Sequence, residues 1–276
     1  MKLRLSSSIL FALIAPAFAN HNSTELATIN HPGKIYISIF GGDASPNNVN
    51  SSQYGTAFFP EFAGGPLAVN AFGQLQGQSA AFFGGQLGYQ ARDIPLNLNS
   101  CSKWLLGPAA ELEGYAMRKS TFSGDMINNT TRIPEHDFVT SYPMNRTLFF
   151  ANVVLNVKNT SWLIHPYIGF GIGDAIIRIS GANAKQVLPA EAGINHYNSN
   201  TSDATSAFAG QIKLGLSFDI NTHLSLFAEY RRLYIANTHF VFGSTVYPTH
   251  VETSSWQVNL DSQKYNLGNA GIRFSI

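Results

Sequence analysis

Lys264-Tyr-Asn-Leu-Gly-Asn-Ala-Gly-Ile-Arg-Phe-Ser-Ile276 closes the chain and decides its fold. Counted back from the end, Ile276, Phe274, Ile272 and Ala270 fall on one face of an extended segment. Ser275, Arg273, Gly271 and Asn269 fall on the other, because successive side chains of a strand point to opposite sides. One face is wholly apolar and the opposite one carries an arginine. Lipid covers such an outer face in a membrane-spanning barrel, and polar groups fill its lumen. The fold class this predicts is all-β, a transmembrane antiparallel up-and-down β-barrel.

The same alternation recurs upstream. In the stretch 207–220, Phe208, Ile212, Leu214, Leu216, Phe218 and Ile220 share one face, while Gln211, Lys213, Gly215, Ser217 and Asp219 share the other. A helix would scatter those polar groups around its surface, whereas a strand collects them. Weaker versions give eight candidate strands, at 34–40, 79–92, 104–121, 146–158, 164–179, 207–220, 224–242 and 265–276. Each supplies the roughly 9–11 residues that a tilted strand needs to cross a bilayer, or comes close to it. The connections alternate in length. Segments 43–78, 122–145, 180–206 and 243–264 are long and rich in Asn, Ser, Thr, Gly and Pro, and 93–103, 159–163 and 221–223 are shorter. Barrels keep short turns in the periplasm and long loops outside, so a periplasmic N-terminus puts four long loops at the cell exterior.

Composition and the start of the chain point the same way. Lys2 and Arg4 precede the apolar run 9–14, and Ala17-Phe-Ala19 is a small-x-small cleavage site. Residues 1–19 thus read as a signal peptide, 20–33 as a short periplasmic segment beginning at Asn20, and 34–276 as the barrel domain. Charged residues make up 12% of the chain, about half the usual share, yet no mature segment reaches the roughly 20 apolar residues of a membrane helix. The lone Cys101 allows no internal disulfide, and a net charge of +1 provides no field for nucleic acid. Aromatics mark both ends of the strands: Tyr89, Trp104, Trp162, Tyr167, Phe218 and Phe274 on the periplasmic side, and Phe40, Phe122, Phe208 and Tyr234 on the outer side. They read as two interfacial belts.

Pro166-Tyr-Ile-Gly-Phe-Gly-Ile-Gly173, Phe227-Ala-Glu-Tyr-Arg231 and Ala270-Gly-Ile-Arg-Phe274 resemble the opacity-type and OmpA-like outer-membrane barrels of Gram-negative bacteria. The resemblance covers the strands of 34–276 and implies the outer membrane as location. It also implies lipid and lipopolysaccharide as surroundings, and the barrel-insertion machinery and periplasmic chaperones as partners. Ile272, Phe274 and Ile276 stand where such families carry their insertion signal. That signal usually ends in Phe, and here the last residue is Ile276. The peptidoglycan-binding domain of some relatives is not expected.

Alternation sends Glu111, Glu113, Lys213, Asp219, Glu229, Arg231 and Arg273 into the lumen. Mixed signs in a narrow, side-chain-filled barrel favour ion pairs, with Arg231 or Arg273 meeting Glu111 or Glu113. Gly169, Gly171 and Gly173 indicate close packing rather than a nucleotide loop. Tyr54, Phe58, Phe59, Phe62, Leu67 and Phe72 crowd one outer loop, and Trp256 sits in another. They are candidates for a contact surface, or for a lid over the barrel mouth. His239 with Ser206 or Ser244 has no spacing that marks a triad. His136, His196 and His250 lie in three separate loops without ligand spacing, so neither metal nor cofactor is expected. The expected role is non-enzymatic: a barrel anchoring loops for adhesion to a host surface ligand or the environment, and for envelope integrity. The alternatives are a small-solute or ion channel (a narrow porin) and a lipid-modifying outer-membrane enzyme.

Overall fold

A computed structural model describes residues 33–96, 103–128 and 137–276. The signal peptide, nearly all of the periplasmic segment, Cys101 and His136 lie outside the described residues. The strands are β1 (Lys34–Pro46), β2 (Val49–Ala57), β3 (Leu67–Gly77), β4 (Ala80–Gln90), β5 (Ile94–Pro95), β6 (Trp104–Asn128) and β7 (Asp137–Asn159). They continue as β8 (Ile164–Ser180), β9 (Asn183–Leu188), β10 (Ser202–Asp219), β11 (Leu224–Ile235), β12 (Thr238–Phe242), β13 (Trp256–Leu260) and β14 (Gln263–Ser275).

Eight of them close a ring in the order β1-β4-β6-β7-β8-β10-β11-β14 and back to β1, every pair antiparallel. The C-terminal strand is the closing one: Ile39 stands opposite Ile272, and Ile37 opposite Phe274. Closure pairs the backbone groups that lipid could not satisfy. Around the ring the outward positions are apolar and bare, among them Ile35, Ile37, Ile39, Phe83, Leu112, Phe149, Val153, Phe170, Ile172, Leu214, Leu216, Ile272 and Phe274. Val153 is 68% exposed and its inward neighbour Asn152 only 3%. That inversion of the water-soluble pattern is stable only where lipid is the outer solvent.

The described residues of the four outer connections carry strands as well as loop. β6 and β7 run past the ring, where the top of β6 pairs with β3 and the top of β7 with β9. The sheet continues β3-β2-β13-β12. β12 is drawn towards β10 by the Val241 amide, which donates to the Asp203 carboxylate at 2.7 Å. This outer lobe encloses Phe138, Tyr142, Tyr197, Phe240, Phe242, Trp256, Val258 and Leu260, all buried. The polar composition that marked these stretches as loops belongs to the lobe's outer face. Its alternating apolar residues extend the core upward from the barrel mouth.

Parity also corrects the aromatic belts. Tyr89, Trp104, Trp162, Phe218, Phe274, Phe208 and Tyr234 do face outward. Phe40, Phe122 and Tyr167 do not, because each alternates with a lipid- or water-facing neighbour and so points into the lumen.

Candidate functional site

The lumen at mid-barrel holds six charges from four strands. β6 supplies Glu111 and Glu113, β10 Lys213, β11 Glu229 and Arg231, and β14 Arg273, all buried. Lys213 Nζ lies 2.5 Å from Glu111 and 3.0 Å from Glu113, with Glu229 at 3.9 Å. Arg231 pairs with both Glu113 and Glu229, and Arg273 reaches Glu111 at 3.4 Å. Three acids thus meet three bases, and the cluster is neutral. Asp219 is not a member: at the periplasmic end of β10 it is part-exposed and 3.3 Å from His165. Near the periplasmic water, it needs no buried partner.

Uncharged groups complete the network. The Tyr36 hydroxyl donates to Glu111 at 2.7 Å and that of Tyr167 to Glu229 at 3.0 Å. Asn152 donates to Glu113 at 3.2 Å and Gln211 to Asn152 at 2.8 Å. A Cβ at Gly171 would stand 2.0 Å from the Asn152 side-chain oxygen, so glycine there leaves room for the amide ladder. These partners sit on inward positions that alternation alone would have found.

Above the charges lies an aromatic layer, Phe40, Phe82, Tyr115 and Phe150. The Arg231 guanidinium covers the Phe40 ring at 4.4 Å. Higher still, buried Arg146 lies 5.3 Å from the rings of both Phe122 and Tyr265 and donates to the Ser120 hydroxyl at 3.0 Å. The six mutually paired charges, capped by packed rings, form a plug.

The outer aromatics divide. Leu67 and Trp256 are buried in the lobe core, and Trp256 is therefore not a contact residue. Gly55 lets its ring in, since a Cβ there would approach to 2.6 Å. Phe59 is part-buried against the same core. Phe58 and Phe72 face outward, Tyr54 packs edge-on to Phe72 at 5.8 Å, and Phe62, on a single 3-10 turn (Glu61–Ala63), is 94% exposed.

The remaining candidates scatter or regroup. His239 is bound to Asn259 at 2.7 Å on the exposed face of β12, and no serine joins it in a triad among the described residues. Ile272, Phe274 and Ile276 line the outward face of β14, where Ile276 donates its amide to the Ile35 carbonyl at 2.8 Å. His196 and His250, in separate loops without ligand spacing, are neighbours in the lobe. They come together only through the long-range pairing of β2, β3, β6, β7, β9 and β13.

Residues 70–276 match the model of the surface antigen family. The chain belongs to that family. Membership and the lipid-facing belt place this surface-antigen chain in the outer membrane of a Gram-negative cell. No curated protein matches it. Among solved structures it is similar to the outer membrane protein OprG from Pseudomonas aeruginosa, at 14% identity over 89% of this chain and 97% of that one, with a TM-score of 0.45. Neisserial surface protein A is similar at 12% identity, 88% and 99% coverage and a TM-score of 0.38. The outer membrane protease OmpT from Escherichia coli is similar at 8% identity, 88% and 97% coverage and a TM-score of 0.40. At such scores the likeness extends to neither activity nor ligand.

Proposed function

We propose that this protein is a non-enzymatic adhesive surface protein, in which the plugged barrel anchors a rigid outer lobe that binds a host or environmental surface. The observation that supports the reading is the split of the outer aromatics. A core around Trp256 and Tyr197 holds the β2–β3 hairpin in place, and Phe58, Phe62 and Phe72 remain bare at its tip and outer face. Large apolar groups left on a rigid exposed edge are the usual mark of a protein contact. Arg118 and Lys119 both face outward at the bulge of β6, just above the lipid-facing Leu112. Their position suits the phosphates of the outer-leaflet lipopolysaccharide.

The test is a triple replacement, Phe58→Ser, Phe62→Ser and Phe72→Ser, in cells displaying the full chain. These side chains lie outside the buried core, so surface display and heat-modifiable gel mobility should stay normal while attachment to host cells falls several-fold. Normal attachment by a correctly displayed triple variant would overturn the proposal.

A further inference from the structure

The lobe core contains a cluster whose chemistry the adhesive reading does not use. Glu191 and His196 belong to segment 189–201, which follows β9 and buries His196 and Tyr197 in the lobe, and His250 belongs to the β12–β13 connection. His196 is buried, edge-on to Phe138 and Trp256 at 5.1 and 5.9 Å. Its Nδ1 lies 3.0 Å from the Ala184 carbonyl. That oxygen can only accept, so Nδ1 carries the hydrogen and the Nε2 lone pair points the other way. His250 repeats the arrangement, its Nδ1 lying 2.5 Å from the Val251 carbonyl. Both Nε2 atoms then face the same Glu191 oxygen, His196 at 3.5 Å and His250 at 3.2 Å.

Three acceptors turned towards one another repel unless a positive centre sits between them. A proton on one Nε2 is one such centre, and a metal ion held by all three ligand atoms is another. The edges of a tetrahedron with metal–ligand bonds of about 2.0–2.1 Å are ~3.3 Å long, which both observed separations bracket. All the ligand atoms of the trio lie within 4.8 Å of one another. A cavity of about 40 Å³ adjoins them, walled by Phe59, Val251 and Thr253 among others, which is room for an ion with a water on its open side. Backbone carbonyls holding the far nitrogen of each imidazole are the usual outer shell of a metal-bound histidine.

We propose that Glu191, His196 and His250 bind one zinc ion, which clamps segment 189–201 to the β12–β13 connection inside the outer lobe. Two neutral imidazoles and a carboxylate form a borderline donor set that suits zinc. The fourth position opens on the small cavity.

The test uses the mature chain refolded in detergent without an affinity tag, titrated with zinc chloride by calorimetry. The wild type should take up one zinc per chain, and zinc should slow proteolysis of the lobe. His250→Ala and Glu191→Gln, both at part-exposed positions that leave the core intact, should each weaken binding about tenfold or more. His239→Ala, removing a surface histidine outside the cluster, should bind as the wild type does. Near-ultraviolet dichroism of Trp256 checks that every variant retains the lobe. Failure of the wild type to bind stoichiometric zinc would overturn the proposal, as would binding that survives both cluster variants.

Discussion

Replacing Arg231 by methionine should strand a negative charge in the lumen. Arg231 is fully buried and pairs with Glu113 and Glu229, and methionine retains an apolar stem of similar reach while deleting the charge. Glu111, Glu113 and Glu229 would then face only Lys213 and Arg273. Breaking a buried pair from one side costs about 3–5 kcal/mol. Adding Glu113→Gln restores balance, since Lys213 stays 2.5 Å from Glu111 and 3.9 Å from Glu229, with Arg273 still on Glu111. The double variant should therefore recover much of the loss, a coupling of about 2–3 kcal/mol. Urea unfolding in lipid vesicles, followed by tryptophan fluorescence, measures this. With an m-value of about 3 kcal/mol/M, the Arg231→Met midpoint should fall by about 1–1.7 M. If the losses of Arg231→Met and Glu113→Gln simply add in the double variant, the charges do not act as a unit and the plug argument fails.

Trp256→Ala should destabilise the outer lobe by about 3–5 kcal/mol, as large core truncations do. Limited proteolysis should open the lobe while the barrel keeps its heat-modifiable mobility, and a cooperative loss of both would refute a lobe that opens independently of the barrel. Burial in the lobe pushes the Tyr142 hydroxyl up to about 12, and that of Tyr197 upward too. The unfolded tyrosine loses its proton near pH 10, so lobe stability should be intact below pH 10 and decline as pH rises towards 12. Tyrosinate absorbance titrating wholly near pH 10 with the lobe still folded would contradict this. In planar bilayers the plugged barrel should pass no steady current, and stable conductance steps from the intact protein would show that the charge cluster gates a path.

Period-2 alternation located the ring strands and the lumen charges because in lipid the outward face has one solvent and the inward face another. It failed above the membrane. β7 shows why. From the periplasm upward its outward residues run Leu155, Val153, Ala151, Phe149, then Thr147, Asn145, Pro143 and Ser141, while the inward ones run Asn156, Val154, Asn152, Phe150, Leu148, Arg146, Met144 and Tyr142. The strand never changes parity, but its outward face turns polar after Phe149. A rule seeking apolar-out, polar-in stops at Arg146, and the rest reads as loop. β6 hides its extension further with a bulge between Met117 and Ser120, which turns both Arg118 and Lys119 outward and resets the phase. The pairing of His196 with His250 left no local trace, since the sheet order that joins them is set by long-range registers of β2, β3, β9 and β13.

The lobe has a physical reason to exist beyond what barrel closure requires. A barrel of eight strands needs only short outer connections to close, and connections longer than about 12–15 residues without structure are uncommon in compact proteins. Here each outer segment returns a strand to the sheet or a side chain to the core, so ordering the chain is offset by burying Trp256, Tyr197, Phe138 and Phe242. The rigid result fixes where Phe58, Phe62 and Phe72 stand. A flexible loop with the same three rings would lose conformational freedom on meeting a partner and bind more weakly for it. Lengthening the 60–66 turn with Gly-Ser repeats, which spares the buried core, should therefore weaken attachment without removing a single aromatic. Attachment unchanged by such a linker would show that the rings act without the rigidity that the lobe confers.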